Sequence, residues 1–101
     1  MSFTTRYKYS RPNKTIPWYI ENTPPEVVKY IKDNYFTPGL LLGIKKEGVG
    51  TLVLTLSNEW KDRESALQWW EDPQLSSWHQ GRETHNRENG IAVVSEEMFY
   101  S

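Results

Sequence analysis

Apolar and polar residues alternate along two stretches of the chain, and this period of two is typical of β-strands. Residues 3–9 place their aromatic residues on one face and Arg6 and Lys8 on the other. The leucine-only face of residues 51–57 comprises Leu52, Leu54 and Leu56, and the mixed face comprises Thr51, Val53, Thr55 and Ser57. Residues 40–46 and 91–94 are also predicted to be strands, and the latter can continue toward Tyr100.

Apolar residues at helical spacing, together with capping residues, predict three helices between these strands. The first helix begins with Thr23 as N-cap and Pro24 as its first residue, and the Thr-Pro-Gly sequence at 37–39 ends it. Its apolar stripe comprises Val27, Tyr30, Ile31 and Tyr35. Asp62 caps a second helix over residues 63–71, and Asp72 followed by Pro73 begins a third. The third helix extends to about residue 88, before the Asn-Gly pair at 89–90.

The resulting order, βαββααβ, predicts a ferredoxin-like α+β sandwich that spans residues 1–101 as one domain. In this fold the helices form one layer that covers one face of a four-stranded antiparallel sheet. The second and third helices together act as one broken crossover. The leucine face of residues 51–57 is expected beneath the helices. The mixed face is then open, and we expect a second copy of the chain to cover it through Thr51, Val53 and Thr55.

Composition narrows the function classes. The chain has 101 residues, no cysteine, and 12 basic against 13 acidic residues, which excludes disulfides and thiolate metal sites and argues against nucleic-acid binding. The aromatic signature of an RNA-recognition motif is missing from residues 50–56. No apolar run has the length of a membrane span, and the first ten residues lack a signal-peptide core. The sequence therefore predicts a soluble, cytoplasmic protein that binds neither nucleic acid nor membranes.

Three of the five tryptophans and one of the two histidines fall in the stretch LQWWEDPQLSSWHQ, residues 67–80. Helical angles direct Ala66, Leu67 and Trp70 toward the sheet, which predicts that Trp70 is part of the core. Trp69 and His79 are then expected at the rim of a pocket, with Arg82 on the same side of its helix as His79. The alternative is that Trp69 is boundary packing and His79 is an ordinary surface or hydrogen-bonded histidine.

The two histidines, and the basic residues of the first strand, are two further candidate sites. His79 and His85 are six residues apart and do not share a helical face, so no metal site is expected. Arg6 and Lys8 can meet an anionic ligand, or the carboxylates of a partner, on the mixed face of the sheet. The alternative is an ordinary charged strand face.

The segment SNEWKDRESALQWWEDPQLSSWHQ, residues 57–80, together with FTPGLLLG, residues 36–43, resembles the antibiotic biosynthesis monooxygenase-like family. The resemblance implies a homodimeric α/β barrel in which two ferredoxin-like sheets pack face to face. It implies activities such as cofactor-independent oxygenation of polycyclic phenols or, in one branch, oxidative degradation of haem. Trp69 and His79 fall where that branch contacts haem, but the Asn that it carries on its first strand has no counterpart in residues 3–9.

The function implied is therefore binding of a small hydrophobic or aromatic molecule in a pocket between helices and sheet, as in the cofactor-independent monooxygenases. Trp69 would pack on a flat ligand, and His79 would act as a base, a hydrogen-bond donor or an iron ligand. The expected ligand-binding residues are Arg6, Lys8, Trp69, His79 and Arg82. The alternative is a non-catalytic dimer that binds a ligand or another protein, and no cofactor is identified.

Overall fold

The structure, a computed structural model, describes residues 2–100. Its strands are β1 (Phe3–Ser10), β2 (Leu41–Glu47), β3 (Val53–Trp60) and β4 (Ala92–Tyr100). Its helices are α1 (Pro25–Ile31), α2 (Arg63–Glu71) and α3 (Ser76–Asn89). A 3-10 turn, Tyr19–Asn22, precedes α1, and a π-helical segment, Lys32–Phe36, continues it. The predicted order βαββααβ is confirmed.

The four strands form one antiparallel sheet in the order β2-β3-β1-β4, which is the ferredoxin-like topology that the sequence predicted. β1 is central: Phe3 lies opposite Trp60 of β3 and opposite Tyr100 of β4. Register shifts occur between Lys8 and Tyr9 in the pairing of β1 with β4, and at the start of β2. Because β4 is last in the strand order, it is an edge strand, and it is nine residues long.

Side-chain alternation divides the sheet into a helix-covered face and an open face. On the covered face Tyr7 and Tyr9 of β1 lie opposite Leu56 and Leu54 of β3, and all four are buried. The prediction for these two leucines is correct. Leu52 is 43% exposed, because it belongs to the turn before β3 and not to the strand, so the prediction for Leu52 is wrong.

Two hydrophobic clusters fill the layer between helices and sheet. One joins α1 and α2 to the sheet and consists of Phe3, Ile31, Tyr35, Leu41, Trp60, Ala66, Trp69 and Leu75. The other lies toward the opposite ends of β1 and β3 and consists of Tyr7, Tyr9, Trp18, Leu54 and Ile91. Between them lies a space that residues of both clusters line, among them Trp69 of the first and Tyr7 of the second.

Arg11 holds the long connection between β1 and α1 in place. Its guanidinium donates to the carbonyl oxygens of Thr51, Ile16 and Val49 at 2.8, 2.6 and 3.0 Å, and lies 4.4 Å from the centre of the Trp18 ring. The Trp18 indole N–H donates to the same Val49 carbonyl at 2.7 Å. Residues 11–17 are thus tied to the β2–β3 turn.

Two of the predicted helix starts are wrong, and one is correct. Asp62 caps α2 by accepting a hydrogen bond from the Ser65 amide, as predicted. Thr23 instead donates to the Ile20 carbonyl and so closes the 3-10 turn, and α1 begins at Pro25. α3 begins at Ser76, because residues 72–75 form a separate turn that the hydrogen bond from the Leu75 amide to the Asp72 carbonyl closes. Gly90, with φ of 69°, ends α3 as predicted.

We expect Leu54→Ala to lower the free energy of unfolding by roughly 2–5 kcal/mol, because it leaves a cavity beneath Trp18 and Tyr9. Leu54 is 2% exposed. Leu52→Ala is the matched control, because Leu52 lies in the turn before β3 and its side chain is partly exposed to water. It should change stability by less than about 1 kcal/mol. Urea unfolding followed by circular dichroism measures both. Equal losses for the two variants would mean that the strand faces are wrongly assigned.

Candidate functional site

A cavity of about 390 Å³ lies between the helices and the sheet, in the space that the two hydrophobic clusters leave. Its floor is formed by Tyr7, Tyr9, Leu56 and Asn58, with Ile44 and Lys46 of β2 at one side. Its walls come from α1 and its π-helical continuation, from α2 and from α3. We call this space the helix–sheet cavity.

The two adjacent tryptophans of α2 occupy positions opposite to those predicted. Trp69 is 4% exposed and belongs to the core, whereas Trp70 is 37% exposed. The buried arc of α2 consists of Ser65, Ala66 and Trp69. The helix is therefore rotated by about one residue, or 100°, from the predicted orientation, and Leu67 is also exposed rather than directed to the sheet.

Polar contacts at both ends of α2 account for this rotation. At its start the Asp62 carboxylate accepts hydrogen bonds from the amide and hydroxyl of Ser65, at 2.8 and 2.6 Å. Beyond its end one oxygen of Asp72 accepts from the hydroxyls of Tyr30 and Tyr35, both at 2.7 Å. With both ends held, the Trp69 ring meets Tyr35 edge-on, with the ring centroids 5.3 Å apart.

Burial opposes the charge on the Asp72 carboxylate, but the hydrogen bonds from Tyr30, Tyr35 and the Gln74 amide outweigh it, so the pKa of Asp72 lies below its ordinary value. Burial and the bond to Asp72 also raise the pKa of the Tyr35 phenol. At neutral pH the contact therefore joins an ionised carboxylate to two neutral phenols. It fixes α1 against the break between α2 and α3.

Trp70 stands at the border between the helix–sheet cavity and a second, more open space. Its ring lies 5.8 Å from that of Tyr7 and 4.7 Å from that of His79, measured between centroids. The second space, about 420 Å³, lies between α3 and β4 and is lined by His79, Glu83 and Glu96 among others. We call it the α3–β4 cleft.

His79 lines the α3–β4 cleft, whereas Trp69 lines the helix–sheet cavity, although the two rings are 5.7 Å apart. The prediction that they share one partly exposed pocket is therefore wrong. The reason is the rotation of α2, which places Trp70 rather than Trp69 beside the histidine on the solvent side.

Both ring nitrogens of His79 are engaged within the chain. Nδ1 is 3.3 Å from Nη1 of Arg82, and a guanidinium can only donate, so Nδ1 accepts. The proton of the neutral ring is then on Nε2, which donates to the Trp69 carbonyl at 3.2 Å. Burial lowers the pKa of His79 and favours this neutral form at pH 7.

Arg82 lines both the helix–sheet cavity and the α3–β4 cleft. Its guanidinium carbon lies 4.7 Å from the centre of the Trp78 ring and 5.8 Å from those of Tyr19 and Trp70. Tyr19 reaches this group because its hydroxyl donates to the Trp78 carbonyl at 2.9 Å. That bond requires glycine at position 81, since a methyl group there would overlap the Tyr19 hydroxyl.

Arg6 and Lys8 do not reach these spaces. They alternate with Tyr7 along β1 and so project from the open face of the sheet. Arg6 donates to the Ser57 hydroxyl at 3.0 Å and lies over the Phe99 ring. Of the five residues predicted to bind a ligand, Trp69, His79 and Arg82 are brought together, and these two are not.

Asn58 is a cavity residue that the sequence analysis missed. It is 7% exposed, lies on the covered face of β3, and lines the helix–sheet cavity. No hydrogen bond of its side chain is found within residues 2–100. A signal was present in the sequence, since Asn58 follows Leu54 and Leu56 on the apolar face of β3, where a polar residue requires a reason.

The phenols of the cavity floor are held in their neutral form. Burial raises the pKa of Tyr7 to about 12, and it also raises the pKa of Tyr9. A neutral phenol can donate or accept a hydrogen bond, but it does not supply a negative charge. The floor is therefore aromatic and uncharged at neutral pH.

Within residues 2–100 no helix has both the length and the apolar character needed to cross a membrane. No group of three or more acidic or histidine side chains among these residues is placed to hold a metal ion. His85 lies away from His79, with its Nε2 2.8 Å from the Pro17 carbonyl oxygen.

Comparison with protein-family models gives no match, and no curated protein matches the chain. Among solved structures, a dimeric ferredoxin-like protein from an uncultured marine organism has a similar fold, with a TM-score of 0.58. The match covers 97% of this chain and 92% of that one at 11% identity. It supports the ferredoxin-like fold, whereas membership of the antibiotic biosynthesis monooxygenase-like family is not established.

We expect Asp72→Asn to lower the free energy of unfolding at pH 7 by about 1.5–3 kcal/mol, because it weakens two hydrogen bonds to a charged group. A carboxylate whose pKa is lowered on folding stabilises the protein above its unfolded pKa and ceases to do so as pH falls through the folded value. The difference from the unmodified protein should therefore shrink as pH falls below about 4.

Urea unfolding at pH 7 and pH 3 measures this effect. Asp33→Asn is the matched control, because Asp33 forms an exposed ion pair with Lys29 and its loss should cost less than about 1 kcal/mol. A difference for Asp72→Asn that is the same at both pH values would contradict an ionised, tyrosine-bound carboxylate.

Proposed function

We propose that the protein binds a small, mostly apolar molecule in the helix–sheet cavity. The observation that carries the proposal is a cavity of about 390 Å³ whose wall is largely aromatic and aliphatic. This volume falls within the range of small-molecule sites, roughly 300–1,000 Å³. Asn58 and Arg82 can orient a ligand from the inner part of the cavity, and the other polar side chains of its lining are Thr23, Lys32 and Lys46.

The apolar wall of this space is partly exposed to water, since Val28, Phe36 and Trp70 are 52%, 38% and 37% exposed. Covering such surface with an apolar ligand is favourable by roughly 25 cal/mol for each Å² removed from water. The aromatic residues around the space are held by contacts of their own, such as that between Trp69 and Trp60, with ring centroids 5.4 Å apart. These contacts hold the aromatic rings in place in the cavity wall.

The wall favours a flat guest. Trp70 and Trp78 of the helix layer and Tyr7 and Tyr9 of the sheet present rings from two sides of the space. Aromatic rings pack well edge-on or offset against another ring. A planar aromatic or polycyclic molecule therefore fits this wall better than a branched aliphatic one.

The oxygenase activity that the sequence resemblance implies is a narrower form of this proposal. Its support is the apolar wall, because cofactor-independent oxygenation requires a site that excludes water. A catalytic or iron-binding role for His79 has less support, since the Trp69 carbonyl and Arg82 occupy its two nitrogens. We therefore propose binding as the function and assign no reaction, and Trp69 acts as part of the cavity wall.

We also infer a homodimer formed through the open face of the sheet. Val53, an apolar side chain on that face, is 42% exposed, and the protein of similar fold is described as dimeric. A stable interface would bury at least about 1,200 Å² in total. This arrangement leaves the helix–sheet cavity on the other side of the sheet in each copy.

The neutral probe N-phenyl-1-naphthylamine, whose emission rises in apolar surroundings, should bind saturably with one molecule per chain. Val28→Trp should weaken this binding by tenfold or more, because Val28 is exposed at the cavity wall and a larger side chain there can fill it. Val94→Trp is the matched control, since Val94 is equally exposed on β4 and does not line the cavity. Unsaturable emission, or equal affinity in both variants, would remove the proposed site.

Sedimentation equilibrium at micromolar concentration should give twice the chain mass of 11.9 kDa. Val53→Glu should shift the protein toward the monomer by placing a charge in the interface, whereas Leu67→Glu, on the exposed side of α2, should not. A monomer for the unmodified chain would contradict the inferred dimer without affecting the proposed cavity.

A further inference from the structure

Arg82 is a cation in surroundings that offer it little solvation. Its guanidinium lies among the rings of Trp78, Tyr19 and Trp70, at 4.7, 5.8 and 5.8 Å from their centroids. Burial lowers the pKa of this side chain, although an arginine keeps its proton at any physiological pH. The charge is therefore present and only partly exposed to water.

Arg11, which is more deeply buried than Arg82, has a hydrogen-bond acceptor for each of its side-chain nitrogens. All three acceptors are backbone carbonyls. Within residues 2–100 Arg82 has one acceptor, Nδ1 of His79, which Nη1 contacts at 3.3 Å. The Nε and Nη2 edge of Arg82 has no acceptor in that part of the chain, and these nitrogens are accessible rather than fully buried.

No carboxylate within the described chain forms an ion pair with Arg82 at contact distance. The ion pairs found in residues 2–100 are Lys29–Asp33 and Lys45–Glu47, both on the surface. Burial raises the pKa values of Tyr7, Tyr9 and Tyr19, so these phenols remain neutral. Glu83 and Glu96 line the α3–β4 cleft without forming an ion pair with Arg82, and Glu83 acts on its charge only at longer range.

We propose that the molecule bound in the helix–sheet cavity is an aromatic carboxylate and that Arg82 binds its carboxylate group. This inference rests on the proposed function and names the chemical class of its ligand. The free Nε and Nη2 edge of a guanidinium is the geometry that takes a carboxylate through two parallel hydrogen bonds. The ring of the ligand then occupies the aromatic part of the cavity, between Trp70, Trp78 and the tyrosines of β1.

In this arrangement His79 is a positioning residue. Its Nε2–H bond to the Trp69 carbonyl fixes the ring, and its Nδ1 then holds Nη1 of Arg82. The opposite edge of the guanidinium is thereby left for the ligand. An anion also supplies the charge that the surrounding rings cannot supply.

Two probes of the same shape test the inference: 2-naphthoate, which is an anion at pH 7.5, and 2-naphthamide, which is neutral. Isothermal titration calorimetry gives the affinity of each for the unmodified protein, Arg82→Met and Arg6→Met. Methionine keeps an unbranched apolar side chain in place of the arginine. Arg6 is the matched control, because it is a partly buried arginine on the opposite face of the sheet.

The unmodified protein and Arg6→Met should bind naphthoate roughly tenfold or more tightly than naphthamide, as expected for a charge-assisted bidentate contact. Arg82→Met should lose this preference but still bind naphthamide, which also shows that the variant is folded. Equal affinity for the two probes in the unmodified protein would overturn the carboxylate inference and leave the proposed function standing. A preference retained in Arg82→Met would overturn the role of Arg82. Failure of both probes to bind the unmodified protein at millimolar concentration would count against the proposed function itself.

Discussion

The position of the helices over the sheet depends on one carboxylate. Asp72 accepts hydrogen bonds from Tyr30 in α1 and from Tyr35 in the π-helical segment that follows, and it does so from the break between α2 and α3. A partly buried charge is stabilised when its lone pairs are satisfied, and three donors satisfy this one. The contact joins α1 and its π-helical continuation to the break between α2 and α3, and it fixes the end of α2. With that end held, Trp69 packs in the core against Tyr35, and Trp70 is left partly exposed.

The sequence predicted the strands and their faces well because a period of two leaves little ambiguity. Leu54 and Leu56 are buried as predicted, since a strand shifted by one residue would expose both. Helix orientation was less well predicted. Two adjacent tryptophans differ by about 100° around a helix, and α2, nine residues long, has too few apolar residues to choose between them. The choice is made by Asp72 and tyrosines 42 and 37 residues away along the chain, which no local pattern reveals.

The candidate site was likewise predicted in part, where helical position was enough to identify a residue. Arg82 and Trp69 were identified from their places on helices, and both line the cavity. The missing counter-ion of Arg82 could not be read from the sequence, because it depends on which side chains the fold brings within reach. Arg11 makes the same point in reverse: in the sequence it is one residue of a polar loop, and in the structure it joins three carbonyls and Trp18. The chemistry of a buried arginine is decided by the acceptors around it.

β4 has a consequence for the behaviour of the chain at high concentration. It is a nine-residue edge strand, and Val93, Val94, Met98 and Tyr100 are exposed along it. An unpaired apolar edge is a template on which further strands can add, and this is how many proteins begin to aggregate. Glu96 and Glu97 stand at its middle. If two copies met there edge to edge, in antiparallel register, these charges would be brought close together and would repel. The pair of glutamates thus acts as a gatekeeper against a continuous intermolecular sheet.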